Sequence, residues 1–142
     1  MIKADPNDNI WTIGHNMALF NAALDLTLSG IMVRMDYFLG NKAIIRIPGE
    51  RCCMVLVKWI PEPGTFLISL DEAANLGAFK SVFLCEGMNP EYFYKYQIPT
   101  SAIPEKCQEQ KSNEHAYIKV EPEIFLQFKV DRFSYPMDNE KN

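Results

Sequence analysis

"CCMVLVKWIPEPGTFLIS", residues 52–69, holds an apolar run, a forced turn and a second apolar run. The first part, "CCMVLVKWI", is apolar at nearly every position and short enough to be a strand with both faces covered. The two prolines of "PEPG" have no N–H to give a ladder, and Gly64 permits backbone angles that other residues avoid, so the chain turns there. It re-enters "TFLIS" as a strand and runs directly into "LDEAANLG". Ser69 and Glu72 have the spacing of a capping box, in which the Ser hydroxyl accepts from the Glu72 N–H and the Glu carboxylate reaches back to the Ser69 N–H. A short helix is expected from this point, ending at Gly77.

Working outward, "HNMALFNAALDLTLSG" (15–30) carries the strongest helical pattern. Met17, Phe20, Leu24 and Leu28 fall three or four apart and share one face, which is expected to pack on a sheet. Asn16 is the expected N-cap and Gly30 the stop. The opposite side holds Ala18, Ala22 and Ala23, small enough for a neighbour to approach closely, so most of the helix is expected to be buried. "NIWTIG" before it reads as a strand handing over to the helix at His15. After it, "IMVRMDYFL" and "KAIIRIP" are β-rich runs punctuated by "GN".

Beyond residue 77, "KSVFLC" and "YFYKYQI" read as strands, the second with Tyr92, Tyr94 and Tyr96 on one face and Phe93, Lys95 and Gln97 on the other. "PTSAIPEKCQEQKSNEH" is polar and is expected to be a surface loop, most clearly over 104–115. "AYIKV" and "EIFLQFKV" supply the last strands around Pro122, and residues 136–142 read as a flexible, solvated tail. No repeat or linker divides the chain. The expectation is therefore a single α+β domain over 1–142. It has a mostly antiparallel sheet of six to eight strands, packed against one long and one short helix.

The whole chain has 142 residues and a formal charge of −4, with its Lys and Arg residues scattered. One ordinary domain is the default at this length, and nucleic acid is a disfavoured partner without a basic stripe. No apolar run approaches the roughly 18 residues of a membrane span, and "MIKADPNDN" has no signal-peptide core, so a soluble cytoplasmic protein is expected. Of the four cysteines, Cys52 and Cys53 are adjacent and Cys85 and Cys107 stand alone. Without a CxxC spacing, and with only His15 and His115 besides, buried reduced thiols are the better reading than a zinc site.

Few residues carry a chemical signal. His15 could donate to a ligand or titrate near neutrality, although a lone histidine at a helix start is more often a packing residue. Glu121 and Glu123 flank Pro122 and could present an oxygen to a cleft; solvated charges at a turn is the simpler account. Asp71 and Glu72 are explained by helix capping and the helix dipole. Glycine-rich phosphate loops, the Gly-x-Ser-x-Gly elbow and His-Glu-x-x-His are absent. A metal-dependent nuclease of the Glu-x-Lys type would need a carboxylate where Leu56 precedes Lys58. The tyrosines at 92, 94 and 96 suit either sheet packing or a protein-binding face.

The order of "WTIGH" with its helix and "SGI", then "GTFLISLDEAANLG", "YFYKYQIP" and "YIKVEPEIFL" resembles the ADP-ribosyltransferase-like fold in its small DarT-like and RNA phosphotransferase-like forms. The resemblance spans most of the chain. It implies that His15 binds the nicotinamide ribose of NAD, Phe66 stacks on nicotinamide and Glu121 orients the reacting ribose. Phe66 stands where a tyrosine is usual, and the arginine-rich features of the phosphotransferases are absent. Such a fold-level likeness says little about activity by itself.

The sequence thus leads to a non-catalytic interaction protein, an inhibitor, immunity or accessory factor, which needs no cofactor. It would bind a protein partner through Tyr92, Tyr94 and Tyr96, and those tyrosines also leave self-association open. The alternative is a small NAD-dependent transferase using His15, Phe66 and Glu121, with a pocket between "GTFLIS" and the long helix. A small-molecule binding module would share that pocket but lack the carboxylate. Whether any catalysis occurs stays open between these readings.

Overall fold

Small residues set the distance between the first helix and the sheet beneath it. In the computed structural model, which describes residues 6–37, 43–49, 53–69, 72, 76–103, 109–112 and 115–136, helix α1 runs from Pro6 to Leu28. Ala18, Leu19, Ala22, Ala23 and Leu26 of α1 are buried against the sheet. At Gly14 the approach is closer still: a Cβ there would overlap the Trp59 ring.

This corrects two expectations. "NIWTIG" is not a strand but the first turns of α1, which places His15 inside the helix rather than before it and removes Asn16 as N-cap. Pro6 begins the helix, a position where its missing N–H costs nothing. Of the two sides expected to be buried, only the one with Ala18, Ala22 and Ala23 is, since Phe20, Leu24 and Leu28 are 53%, 54% and 62% exposed. Both faces carry helical periodicity, and only the smaller side chains allow the close approach that the sheet imposes.

The helix ends as its sequence indicates. Gly30 adopts φ +83°, its N–H donates to the Thr27 carbonyl at 2.9 Å, and the Ile31 N–H donates to the Leu26 carbonyl at 3.0 Å. This pair of bonds is the Schellman arrangement, and Ile31 completes it by packing into the core with Leu26.

The strands are β1 (Arg34–Tyr37), β2 (Ala43–Ile47), β3 (Cys53–Ile60), β4 (Phe66–Ser69), β5 (Phe79–Glu86), β6 (Tyr94–Pro99), β7 (Glu109–Ser112), β8 (His115–Val120) and β9 (Lys129–Val130). A single-turn helix, α2 (Pro122–Phe125), lies between β8 and β9. Of the short helix expected after Ser69, Glu72 is helical and Leu76–Ala78 forms a 3-10 turn, while 70–71 and 73–75 lie outside the described residues. Two sheets form rather than one: β1-β2-β3-β5-β6-β9, and the smaller β4-β8-β7. All described pairs are antiparallel except β3 with β5. That parallel pair follows from the crossover through β4 and the Glu72 segment, because a tight hairpin joins only antiparallel neighbours. The architecture is α+β and mostly antiparallel.

β3 lies inside the larger sheet with both faces covered, as its continuous apolar run predicts. Val55, Val57 and Trp59 join α1 in one core, while Leu56 and Ile60 join Phe66, Ile68, Ile118, Val120 and Phe125 in a second core under the smaller sheet. The larger sheet is thus sandwiched between α1 and the smaller sheet. The segment expected as a polar loop contains strand β7, because Glu109–Ser112 pairs with β8; residues 104–108 and 113–114 lie outside the described residues. Of the expected tail, Pro136 is buried and 137–142 lie outside the described residues. Cys53 and Cys85 are buried thiols outside any disulfide, and burial pushes the Cys85 thiol upward; Cys52 and Cys107 are not among the described residues.

Candidate functional site

A pocket of about 310 Å³ opens where α1, β3 and the start of β4 meet. α1 contributes Trp11 and His15, one turn apart on one face; β3 contributes Lys58, Trp59 and Ile60; Thr65, Phe66 and Leu67 close the remaining side. Both tryptophans of the chain line it. Their rings meet edge to face at 5.3 Å and 77°, a favoured aromatic geometry. The Trp59 indole N–H donates to the Gly87 carbonyl at 2.8 Å, which fixes the ring across the pocket floor.

His15 is a strap between helix and sheet. The Trp59 backbone N–H donates to His15 Nε2 at 3.2 Å. Nδ1 therefore carries the proton, and it donates to the Trp11 carbonyl at 2.9 Å. Burial, with the Lys58 charge second, lowers the His15 pKa to about 3. The ring is neutral around pH 7 and both its nitrogens are committed.

Lys58 is buried in the same wall, and its Nζ donates to Glu72 Oε1 at 3.1 Å and Oε2 at 3.3 Å. Glu72 Oε1 also accepts from the Ser69 N–H at 2.9 Å, and Ser69 Oγ accepts from the Glu72 N–H at 3.1 Å. The capping box of the sequence is present and has a second task, since it fixes the carboxylate that neutralises a buried ammonium. Removing either partner would leave an uncompensated charge, the costly case for buried ions.

The other sequence-predicted residues are dispersed. Phe66 lines the pocket, yet it is 1% exposed and its ring meets Phe125 at 5.6 Å, so it is already packed. Val120 pairs with Phe66, which brings Glu121 near this end of the sheet. Its carboxylate nevertheless faces solvent, 3.8 Å from Lys119, and Glu123 is exposed on α2. Neither lines the pocket.

The tyrosines do not form one face. Tyr92 lies exposed in a 3-10 turn, Tyr94 is exposed with Lys129 Nζ 4.4 Å above its ring, and Tyr96 is buried. The Tyr96 hydroxyl donates to Glu86 Oε1 at 3.2 Å, and burial followed by the Glu86 charge raises its pKa to about 12.

Sequence reasoning missed Trp11, Trp59 and the Lys58–Glu72 pair. Trp11 and His15 are four apart, a signal readable only once α1 is extended to Pro6. Lys58 gave a direct signal, because a lone lysine in a strand covered on both faces requires a buried counter-charge.

A second polar cluster ties the far end of α1 to the sheet. Asp25 Oδ2 accepts from Lys95 Nζ at 2.7 Å and from the Phe133 N–H at 3.0 Å. Phe133 stacks on Phe83 at 4.3 Å. Among the described residues no group of three His, Cys, Asp or Glu side chains is placed to hold a metal ion, and no helix is long and apolar enough to cross a membrane. Comparison with family models, curated proteins and solved structures gives no match.

Proposed function

We propose that the chain is a non-catalytic interaction protein whose docking surface is the outward face of α1. One observation carries this reading. Ile10, Ile13, Phe20, Leu24 and Leu28 are exposed large apolar residues, and at about 100° per residue they lie on the side of the helix opposite its sheet-packed face. A helix that is apolar all round needs cover on both sides. A continuous exposed apolar patch of this kind usually marks an interaction site. The matching partner presents an apolar helical face. Tyr92, Tyr94 and Tyr96 lose the role of a common binding face, because one of the three is internal.

The test is photocrosslinking in the full chain, with a benzophenone amino acid placed at Leu24 or, as a control, at the equally exposed Leu126 on the other side of the larger sheet. A covalent protein adduct at position 24 that is absent at 126 and abolished by Phe20→Glu is expected. No adduct at 24 beyond that at 126 would refute the reading.

A second reading, an NAD-using ADP-ribosyltransferase-like enzyme, has one favourable observation: His15 and Phe66 line the same pocket. The pocket volume lies at the low end of cavities that take drug-sized ligands, and among the described residues no carboxylate lines it. That composition fits a small ring-bearing ligand better than a reacting dinucleotide. Because both tryptophans line the pocket, titration with NAD followed by tryptophan emission tests it directly. Saturable quenching weakened by Thr65→Val would favour the enzyme, and an unchanged spectrum at millimolar NAD would remove it.

A further inference from the structure

The outward face of α1 has a finer pattern than exposure alone. Ile10, Ile13, Met17, Phe20 and Leu24 follow one another at spacings of three and four, and Leu28 continues the stripe at the next turn; Met17 is half-buried at the edge of the core and the others are exposed. This is the alternating spacing of a seam between two packed helices. Over the roughly 27 Å from Ile10 to Leu28, the only ionisable side chains are His15 and Asp25, and both are buried toward the sheet. Asn16, Asn21, Thr12 and Thr27 are the polar residues nearest the stripe, and all are uncharged.

We propose that the occupant of this seam is a second copy of the chain, with α1 packed antiparallel against its symmetry mate about a two-fold axis near Met17 and Phe20. This rests on the reading of α1 as a docking surface and names its partner. Three observations point to the copy. The first is that α1 is the only described helix longer than one turn, so the described residues hold no second helix to lay along the seam.

The second observation is charge. The chain carries a net −4, which opposes self-association generally, yet α1 itself places no charged side chain on this face, and the exposed Glu91 lies only at its edge, beside the Pro90 carbonyl that accepts from Asn21. It is therefore self-complementary, as a two-fold interface must be, and it offers nothing for a charged partner to match.

The third is area. At their observed exposures, the seam residues leave on the order of 500 Å² of apolar surface per copy. Two copies would bury on the order of 1,000 Å², the size at which specific interfaces begin. The resulting dimer is modest in affinity, with Phe20 and Leu24 at its centre.

Sedimentation equilibrium and light scattering on the full chain at about 100 µM, a concentration suited to a micromolar dissociation constant, test the proposal. The expected result is a mass of twice the 16.3 kDa chain. Phe20→Glu with Leu24→Glu should return the mass to that of one chain with an unchanged far-ultraviolet circular dichroism spectrum. Leu126→Glu should leave the dimer intact. The wild-type melting temperature should rise with protein concentration and that of the double variant should not.

A folded wild-type monomer at this concentration overturns the proposal, as does a dimer that survives the double variant. If the Leu24 photocrosslink then yields a product other than a pair of chains, the docking reading stands without the second copy; if it yields no product, both fall. Should the double variant fail to fold, Leu24→Ser alone, which removes apolar area without adding charge, is expected to weaken dimerisation by about tenfold, and an unchanged dissociation constant counts against the seam.

Discussion

The two faces of α1 are built from different materials and do different work. The inward face is made of Gly14, Ala18, Leu19, Ala22, Ala23 and Leu26, which bring the helix backbone close enough for Trp59 to pack on Gly14 and for His15 to bond the β3 backbone. The outward face is made of Ile10, Ile13, Phe20, Leu24 and Leu28, larger side chains that stand in solvent. A helix that leaves Phe20, Leu24 and Leu28 outside is stabilised within its own chain as much by the close approach at Gly14 and the alanines as by side-chain volume. The lesson is that apolar periodicity marks surfaces that need cover, while residue size indicates which one the chain itself covers.

This contrast can be broken at single positions. Leu26→Ala on the inward face should lower unfolding free energy by about 2–5 kcal/mol in urea denaturation, since a fully buried leucine leaves a cavity that packing only partly refills. A loss below 1 kcal/mol, within the range of ordinary surface substitutions, would mean that this face is not the core. Gly14→Ala adds one methyl where the indole ring already lies and should cost about 1–3 kcal/mol through forced displacement of Trp59. A shift in tryptophan emission should accompany it. The usual preference of helices for Ala over Gly makes a stabilised variant the opposite outcome.

The strap at His15 sharpens the comparison through pH. The folded-state pKa is lowered to about 3 from the ordinary 6.5, so below about 6.5 the unfolded chain takes up a proton that the native chain refuses. The stabilisation is complete above that value and is lost as pH falls toward 3, with a slope of up to about 1.4 kcal/mol per pH unit. Denaturation midpoints of the wild type and His15→Gln, measured between pH 7 and 5, should converge at the lower pH. Parallel profiles would show that the folded ring takes up its proton at the ordinary pKa.

The smallest effect belongs to the outward face. Leu24→Ser, measured at concentrations low enough to hold the chain monomeric, should change stability by no more than about 0.5 kcal/mol. A loss comparable with that of Leu26→Ala would place Leu24 in the core of the monomer.

Several features are legible in the residues alone. The apolar run around Val55 and Val57 specifies a strand covered on both faces, Ser69 and Glu72 specify a capping box, and Gly30 specifies the end of α1. Each of these depends on residues adjacent or nearly adjacent in the chain. The pocket is legible only in part. "GTFLIS" and His15 do share a wall, but Trp11 lies in a segment whose β-branched residues suggest a strand, and the partner of Lys58 lies fourteen positions away.

The residues alone are enough for the α+β class, the central strand, the capping box and the Gly30 stop, because these follow from backbone chemistry and short-range periodicity. Long-range packing settled that the helix extends back to Pro6, that Ala18, Leu19, Ala22, Ala23 and Leu26 rather than Phe20, Leu24 and Leu28 face the sheet, that Tyr96 turns inward while Tyr92 stays outside, and that His15 serves as a neutral strap. The physical reason is common to all four. Each depends on how elements distant in sequence pack, as where Trp59 meets Gly14 and where Tyr96 meets Glu86 and Phe125.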